Sequence, residues 1–304
     1  MGKLLIGFDW AMKKLLRSKT NFDVLEGFLS ELLERDVKIR SVLESESNKD
    51  NRNDKFNKVD ILVEENSGEL VIIEVQIESE PDYLTRILYG VAKCISEHMS
   101  EGSTYKQVKK VYSVSIVYFD FGMGADYVYH GNMEMRGIHY GDELKLTHNQ
   151  QRLYQKTRIA EVYPEFYLIK INNFNQLAQN TLDEWIYFLR HEEIPDNFKA
   201  KGLSAAKEKF SILKLPKDEQ LAYRRYQENQ RYAASMLEGA HLEGKDEGLA
   251  EGLIKGLEKG RIEGETKAKL DLAKGLLDLL DDKTIAEKTG MSLEDIARIR
   301  DKNV

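Results

Sequence analysis

Apolar positions at helical spacing open the chain. Residues 9–35 read as two helices broken near Thr20 and Asn21, the second with Phe22, Leu25, Phe28, Leu29, Leu32 and Leu33 on one face. Thr20 or Asn21 suits its N-cap. Residues 37–44 alternate like a strand, and the polar run 45–58 reads as a loop. Two alternating runs follow, Val59–Glu65 and Glu69–Ile77, separated by Asn66-Ser67-Gly68. That spacing predicts a β-hairpin on a three-residue loop, with Gly68 where a positive φ is needed. Pro81 and Asp82 open a helix running to about Met99, and the near-continuous apolar run Val111–Phe119 is expected of a buried strand. Further strands are expected near 127–137, 143–147 and 166–171, and helices at about 176–190, 203–213 and 217–236.

The pattern then changes. Gly244, Gly248, Gly252, Gly256, Gly260 and Gly264 recur every four residues with charged residues between them. Each glycine inside a helix costs about 0.5–1 kcal/mol relative to alanine. A flexible linker and a helix formed only on self-association both fit this stretch. From Asp281 to Ile299 two short helices are expected around Thr289-Gly290-Met291-Ser292, with Ser292 as an N-cap. Their length suits a helix-turn-helix, but the second carries only Arg298 and Arg300 as cations, which favours a small packing module over a DNA reader.

Composition narrows the function classes. The 304 residues suffice for about two domains, and 41% hydrophobic with 32% charged residues excludes a low-complexity or disordered chain. Cys94 is the single cysteine, so no intramolecular disulfide and no cysteine-rich zinc site can form. The expectation is a soluble cytoplasmic protein without a membrane span, signal peptide or myristoylation signal. The formal charge of −7 weakens a nucleic-acid reading without removing it, because a local basic face can track a phosphate backbone. The six histidines lack metal-ligand spacing, and the tail glycines lack the Lys-Ser/Thr of a phosphate-binding loop.

The hairpin carries the chemistry. If Glu65 and Glu69 flank the loop, the register places Asp60 opposite Glu74, with Cβ atoms about 4.5–5.5 Å apart. Alternation then puts Gln76 on the same face as Asp60 and Glu74, while Ile61, Val63, Val71, Ile73, Val75 and Ile77 form a core face. Opposed like charges on a sheet are unfavourable alone, and a divalent cation reverses the sign. Two carboxylates with a backbone carbonyl, that of Val75, and waters suit Mg²⁺ or Mn²⁺. A cation held there could bind a scissile phosphate and help deprotonate a water, with Gln76 positioned to hydrogen-bond that water or a phosphate oxygen. On an ordinary hairpin the same residues would simply be solvated acids.

Asp60, then Glu74-Val75-Gln76 between Ile/Val-rich strands, resembles the PD-(D/E)XK nuclease signature in its D…ExQ form. Phe8-Asp9-Trp10-Ala11-Met12-Lys13-Lys14 is similar to the opening "D-x-A-F-K" helix of the Rpn family, the recombination-promoting nucleases also called transposase-like. Tyr83–Tyr89, Gly102–Tyr105 leading into Val111–Phe119, the Leu182–Leu189 helix and the glycine-repeat tail ending in Thr289–Glu294 resemble that family too, so the likeness runs through nearly the whole chain. It implies a restriction-endonuclease-like αβββαβ core with a helical C-terminal extension and metal-dependent cleavage of DNA. It also implies a bacterial role in recombination, mobile elements or phage defence. By the resemblance, Asp60 and Glu74 are metal ligands and Gln76 stands where lysine is usual. Val59 replaces the eponymous proline and Met12 an aromatic residue. Gln76 cannot bring the positive charge of lysine to the phosphate, so transition-state stabilisation is weakened or redistributed. Glu26 and Arg86 are accessory candidates, an extra acid and a phosphate contact, and Lys106, Lys109 and Lys110 are candidates for lining a DNA groove. The expected division is a nuclease-like core over 1–140, a mainly helical supporting region over 141–236, the glycine repeat over 237–265 and a helical module over 266–304. Self-association through the C-terminal region is expected. The competing reading is a catalytically weak or inactive nuclease-fold protein that works by self-association or partner binding through this tail.

Overall fold

A computed structural model describes residues 5–43, 60–99, 104–174 and 177–301. The polar loop expected over 45–58, and Val59 with it, lies outside the described residues. In chain order the helices and strands are α1 (Phe8–Lys14), α2 (Phe22–Leu32), β1 (Ile39–Leu43), β2 (Ile61–Glu65), β3 (Leu70–Gln76), α3 (Tyr83–Glu97), β4 (Val111–Val117), β5 (Val128–Gly131), α4 (His148–Tyr154), β6 (Glu165–Lys170), α5 (Thr181–His191), α6 (Leu203–Lys209), α7 (Lys217–Leu276), α8 (Asp282–Thr289) and α9 (Leu293–Asp301). The stretch from α2 to β4 has the expected αβββαβ order.

One six-stranded mixed sheet organises the first compact unit, Met1–Tyr223, in the order β1-β2-β3-β4-β6-β5. β1, β2 and β3 form an antiparallel meander, and β3 pairs in parallel with β4. Parallel pairing requires a crossover, which α3 supplies. The β2–β3 register is the expected one: Ile61 faces Ile73 and Val63 faces Val71. Gly68 turns the hairpin at φ +86°, and its N–H donates to the Glu65 carbonyl at 2.9 Å.

Both faces of the central strands are covered, so β3 and β4 are buried almost throughout. This is why Val111–Val117 reads as a continuous apolar run rather than an alternating one. On the Asp60–Glu74 face, Leu62, Leu70, Ile72 and Val111 pack with Val91 and Cys94 of α3. That face is therefore also core along most of its length, and only its end carries the acids. Phe8, Phe28, Trp185, Phe188 and Phe210 form an edge-to-face and tilted aromatic cluster that ties α1 and α2 to α5. A Cβ at Gly27 would lie 2.3 Å from the Lys201 carbonyl oxygen, so only glycine lets α2 approach the loop before α6 so closely.

Three expectations differ from the structure. No strand forms over 143–147; Arg136 and Glu143 make one isolated bridge, and Thr147 instead caps α4 in a reciprocal capping box with Gln150. The strand expected over 127–137 is confined to 128–131. The helix expected to end near 236 continues to Leu276, so the glycine repeat is helical. Ion pairs one turn apart, among them Glu251–Lys255 and Arg261 with Glu258 and Glu265, offset part of the glycine cost.

The second compact unit is Arg224–Val304. Within it, Ala273 and Leu277 pack against Ile285 and Ile296. Gly290 sits at φ +69° after α8, and the Ser292 hydroxyl accepts from Asp295 N–H at 3.1 Å, as expected of its cap. No described helix is long and apolar enough to cross a membrane.

Candidate active site

Where β2 begins at Ile61, β3 runs on past it, and the Val75 N–H loses a strand partner on that side. The Asp60 carboxylate takes the place of the missing ladder: its Oδ2 accepts the Val75 N–H at 2.7 Å. The Asp60 carbonyl in turn accepts from Arg17 Nη2 at 2.7 Å, fixing the residue from the side of the α1–α2 connection. Continued by one pair, the register sets Asp60 opposite Glu74. On the other side of β3, Ser115 faces Glu74, so the acids share their face with a hydroxyl. Asp60 and Glu74 are thus opposed, with Gln76 two residues further along the same face of β3.

Glu74 is 5% exposed, and no hydrogen bond from a described residue reaches its carboxyl. Burial pushes its pKa up to about 7; the Arg86 guanidinium opposes the rise, and the charges of Asp60 and Glu80 add to it. The Tyr83 hydroxyl is held far above its usual range by burial first and then by Glu74. It lies beside the Ser115 hydroxyl without a well-formed hydrogen bond.

Gln76 is engaged within the protein. Its Nε2 donates to the Glu78 carbonyl at 3.0 Å and to Glu80 Oε1 at 2.9 Å. Arg86 Nη1 donates to both oxygens of Glu80, at 2.6 and 2.7 Å. Glu80 therefore joins Gln76 at the end of β3 to Arg86 on α3. Glu80, Tyr83, Ser115 and Arg17 were not singled out from the sequence. Ser115 carries a signal in hindsight, since Ser113 and Ser115 interrupt an otherwise apolar buried strand. Glu80, Tyr83 and Arg17 reach the site through chain geometry that spacing alone does not show.

The remaining candidates lie elsewhere. Glu26 accepts the Ile39 N–H and the Lys38 ammonium, which ties α2 to the start of β1, and Ile39 faces Glu65 at the hairpin-loop end of β2. Lys109 pairs with Glu64 at 2.9 Å, and the buried Lys110 pairs with Glu165 at 2.5 Å. Both precede β4 beside Leu70, about 13 Å along the strand from Glu74. Lys106 is exposed on a short 3₁₀ turn. By contrast Lys13, Lys14, Arg17 and Lys19 are all exposed, and none forms an ion pair with a described residue. They occupy the end of α1 and the turn after it, joined to the site by the Arg17–Asp60 contact.

The donor set fits a hard cation. Glu74 is a desolvated, hydrogen-bond-poor carboxyl opposite a second carboxylate, which a divalent ion would neutralise, and both offer oxygen. No group of three or more His, Cys, Asp or Glu gathers among the described residues, so waters and the Val75 carbonyl would complete the coordination. Cys94 is no competing nucleophile, since burial pushes its thiol up to about 12.

Residues 7–240 match the family model described as PD-(D/E)XK nuclease family transposase. No curated protein and no solved structure matches the chain.

Proposed function

The chain belongs to the PD-(D/E)XK nuclease family transposases, and from that premise we propose that it is a Mg²⁺- or Mn²⁺-dependent endonuclease that hydrolyses DNA phosphodiesters. The observation that carries the reading is the pair Asp60 and Glu74: opposed at one end of the hairpin, one anchored on a backbone N–H and the other buried without a hydrogen bond from a described residue. Together with the Val75 carbonyl they would hold the cation. When bound, the cation supplies Lewis acidity to the scissile phosphate and lowers the pKa of an attacking water.

The chain's own residues do the rest. The Val75 N–H orients the Asp60 carboxylate, which would hold the cation beside Glu74, through Oδ2. Arg17 pins the Asp60 backbone, so the two acids stay opposed without the cation. Gln76 orders Glu80, and through it Arg86, rather than carrying charge itself. Lys13, Lys14, Arg17 and Lys19 offer a basic approach, free of ion pairs with described residues, for the phosphate backbone on a chain of net charge −7. Self-association through the C-terminal helix, and a cellular role in recombination, mobile elements or defence, accompany this reading.

The test is incubation of the full chain with supercoiled plasmid in Mg²⁺, Mn²⁺ or EDTA. Nicking or linearisation with either metal and none in EDTA supports the reading. Intact plasmid with both metals sinks it and favours the nuclease fold acting as a non-catalytic scaffold.

A further inference from the structure

Gln76 stands where a lysine would bring positive charge to the phosphate, and its amide nitrogen is turned to Glu78 and Glu80. A replacement is available on α3. Arg86 is the cation that acts on Glu74, and its position is fixed on two sides. Glu80 holds Nη1 with both oxygens, and Cζ lies 5.7 Å from the ring centroid of Tyr83, which is fully buried.

What is left unpaired is chemically specific. Arg86 Nε is buried without a hydrogen-bond partner among the described residues, and Nη2 makes no hydrogen bond there either. The Tyr83 hydroxyl, one turn earlier, is buried beside the Ser115 hydroxyl. A buried donor without an acceptor is uncommon, so Arg86 Nε asks for one. Nε and Nη2 share the edge of the guanidinium opposite Nη1, a fork that matches two oxygens of one phosphate. The side chain keeps 26% of its surface exposed, so Arg86 borders solvent although Nε itself is buried.

We propose that the free edge of Arg86, clamped by Glu80 and backed by Tyr83, binds the non-bridging oxygens of the scissile phosphate and supplies the charge that Gln76 cannot. This rests on the nuclease reading. It explains why Gln76 is turned away from the acids: its amide holds Glu80, which holds the arginine.

The experiment compares wild type, Arg86→Gln and Arg86→Lys. It measures binding of inorganic phosphate in Mg²⁺ by phosphorus NMR line broadening, Mn²⁺ affinity by calorimetry, and the rate of plasmid cleavage. Arg86→Gln is expected to weaken phosphate binding about tenfold or more and to lower kcat by about 10²–10³. Its Mn²⁺ affinity should hold or tighten, because a cation has left the neighbourhood of Glu74. Arg86→Lys, which keeps the charge without the fork, should recover part of both losses. Phosphate binding by Arg86→Gln equal to wild type would overturn the proposal. So would a parallel loss of Mn²⁺ affinity, which would make Arg86 a support of the metal ligands only. Phosphate binding that depends on Arg86 in a wild type that cuts no DNA would retain the anion site while the nuclease reading failed.

Discussion

Glu74→Gln separates what the buried acid costs the fold from what it offers a cation. The amide has nearly the shape of the neutral carboxyl, so it mimics protonated Glu74 at every pH. In the folded chain the carboxyl titrates at about 7 rather than at its ordinary value near 4.5, chiefly because it is buried. A folded pKa above the unfolded one means that the native state binds the extra proton between those values. The stabilising contribution of neutral Glu74 is therefore complete below about pH 4.5 and is lost as pH rises through 7. The full shift corresponds to about 3 kcal/mol at pH 8. Without metal, Glu74→Gln should match wild type near pH 4.5 and exceed it by up to about 3 kcal/mol at pH 8. The assay is urea unfolding in EDTA, followed by tryptophan fluorescence, because Trp10 and Trp185 are the only tryptophans and both are buried in the Met1–Tyr223 unit. With a slope of about 3 kcal/mol/M the midpoints should separate by about 1 M at pH 8. Saturating Mg²⁺ should stabilise wild type and narrow the gap, since the variant has lost a ligand. Parallel pH profiles for the two proteins in EDTA would refute the account of Glu74.

Other perturbations have simpler readouts. Gly27→Ala drives a methyl group into the Lys201 carbonyl and Gly202, both backbone, and should cost about 1–3 kcal/mol, read as a lower urea midpoint; an unchanged midpoint would show that α2 and the loop can part freely. Replacing Lys13, Lys14 and Lys19 together by Gln should flatten the dependence of log affinity for DNA on log salt by roughly 0.9 for each phosphate no longer neutralised, measured by fluorescence anisotropy in EDTA. An unaltered slope would remove this surface from the DNA path. The glycines of α7 meet no side chain or backbone within 4 Å, so in an isolated helix Gly248→Leu and Gly252→Leu should each add about 0.5–1 kcal/mol of helix stability. If two copies pack there, the same changes should disperse the assembly in sedimentation velocity, and a wild type that sediments as a monomer would dismiss the self-association.

The hairpin was legible in the sequence because three local signals agree: alternation on both sides, a three-residue loop and a glycine at its positive-φ position. Its register follows from the loop alone, which is why Asp60 and Glu74 could be paired before any tertiary contact was known. Residues that enter the site from elsewhere in the fold were another matter. Arg17 reaches Asp60 across forty-three positions, and Glu80 matters because α3 docks Arg86 against it. Lys109 and Lys110 look like a basic patch in the sequence, yet Glu64 and Glu165 absorb their charge at the far end of β3 and β4. The expected strand at 143–147 failed because Thr147 and Gln150 cap a helix, a local competition that alternation does not weigh. The length of α7 was hidden for the opposite reason: glycine propensity argues against a helix that i,i+4 ion pairs help to hold.

If Asp60 and Glu74 form a metal-dependent cutting site, Asp60→Asn should disable it. The asparagine oxygen can still accept the Val75 N–H, so the strand end is kept while the charge is removed. Purified wild type and Asp60→Asn are compared on supercoiled plasmid in Mg²⁺, in Mn²⁺ and in EDTA. Wild type is expected to cut with either metal and not in EDTA, and the variant to lose at least about a hundredfold with its unfolding curve nearly unchanged. Cleavage by Asp60→Asn at the wild-type rate would contradict that site assignment.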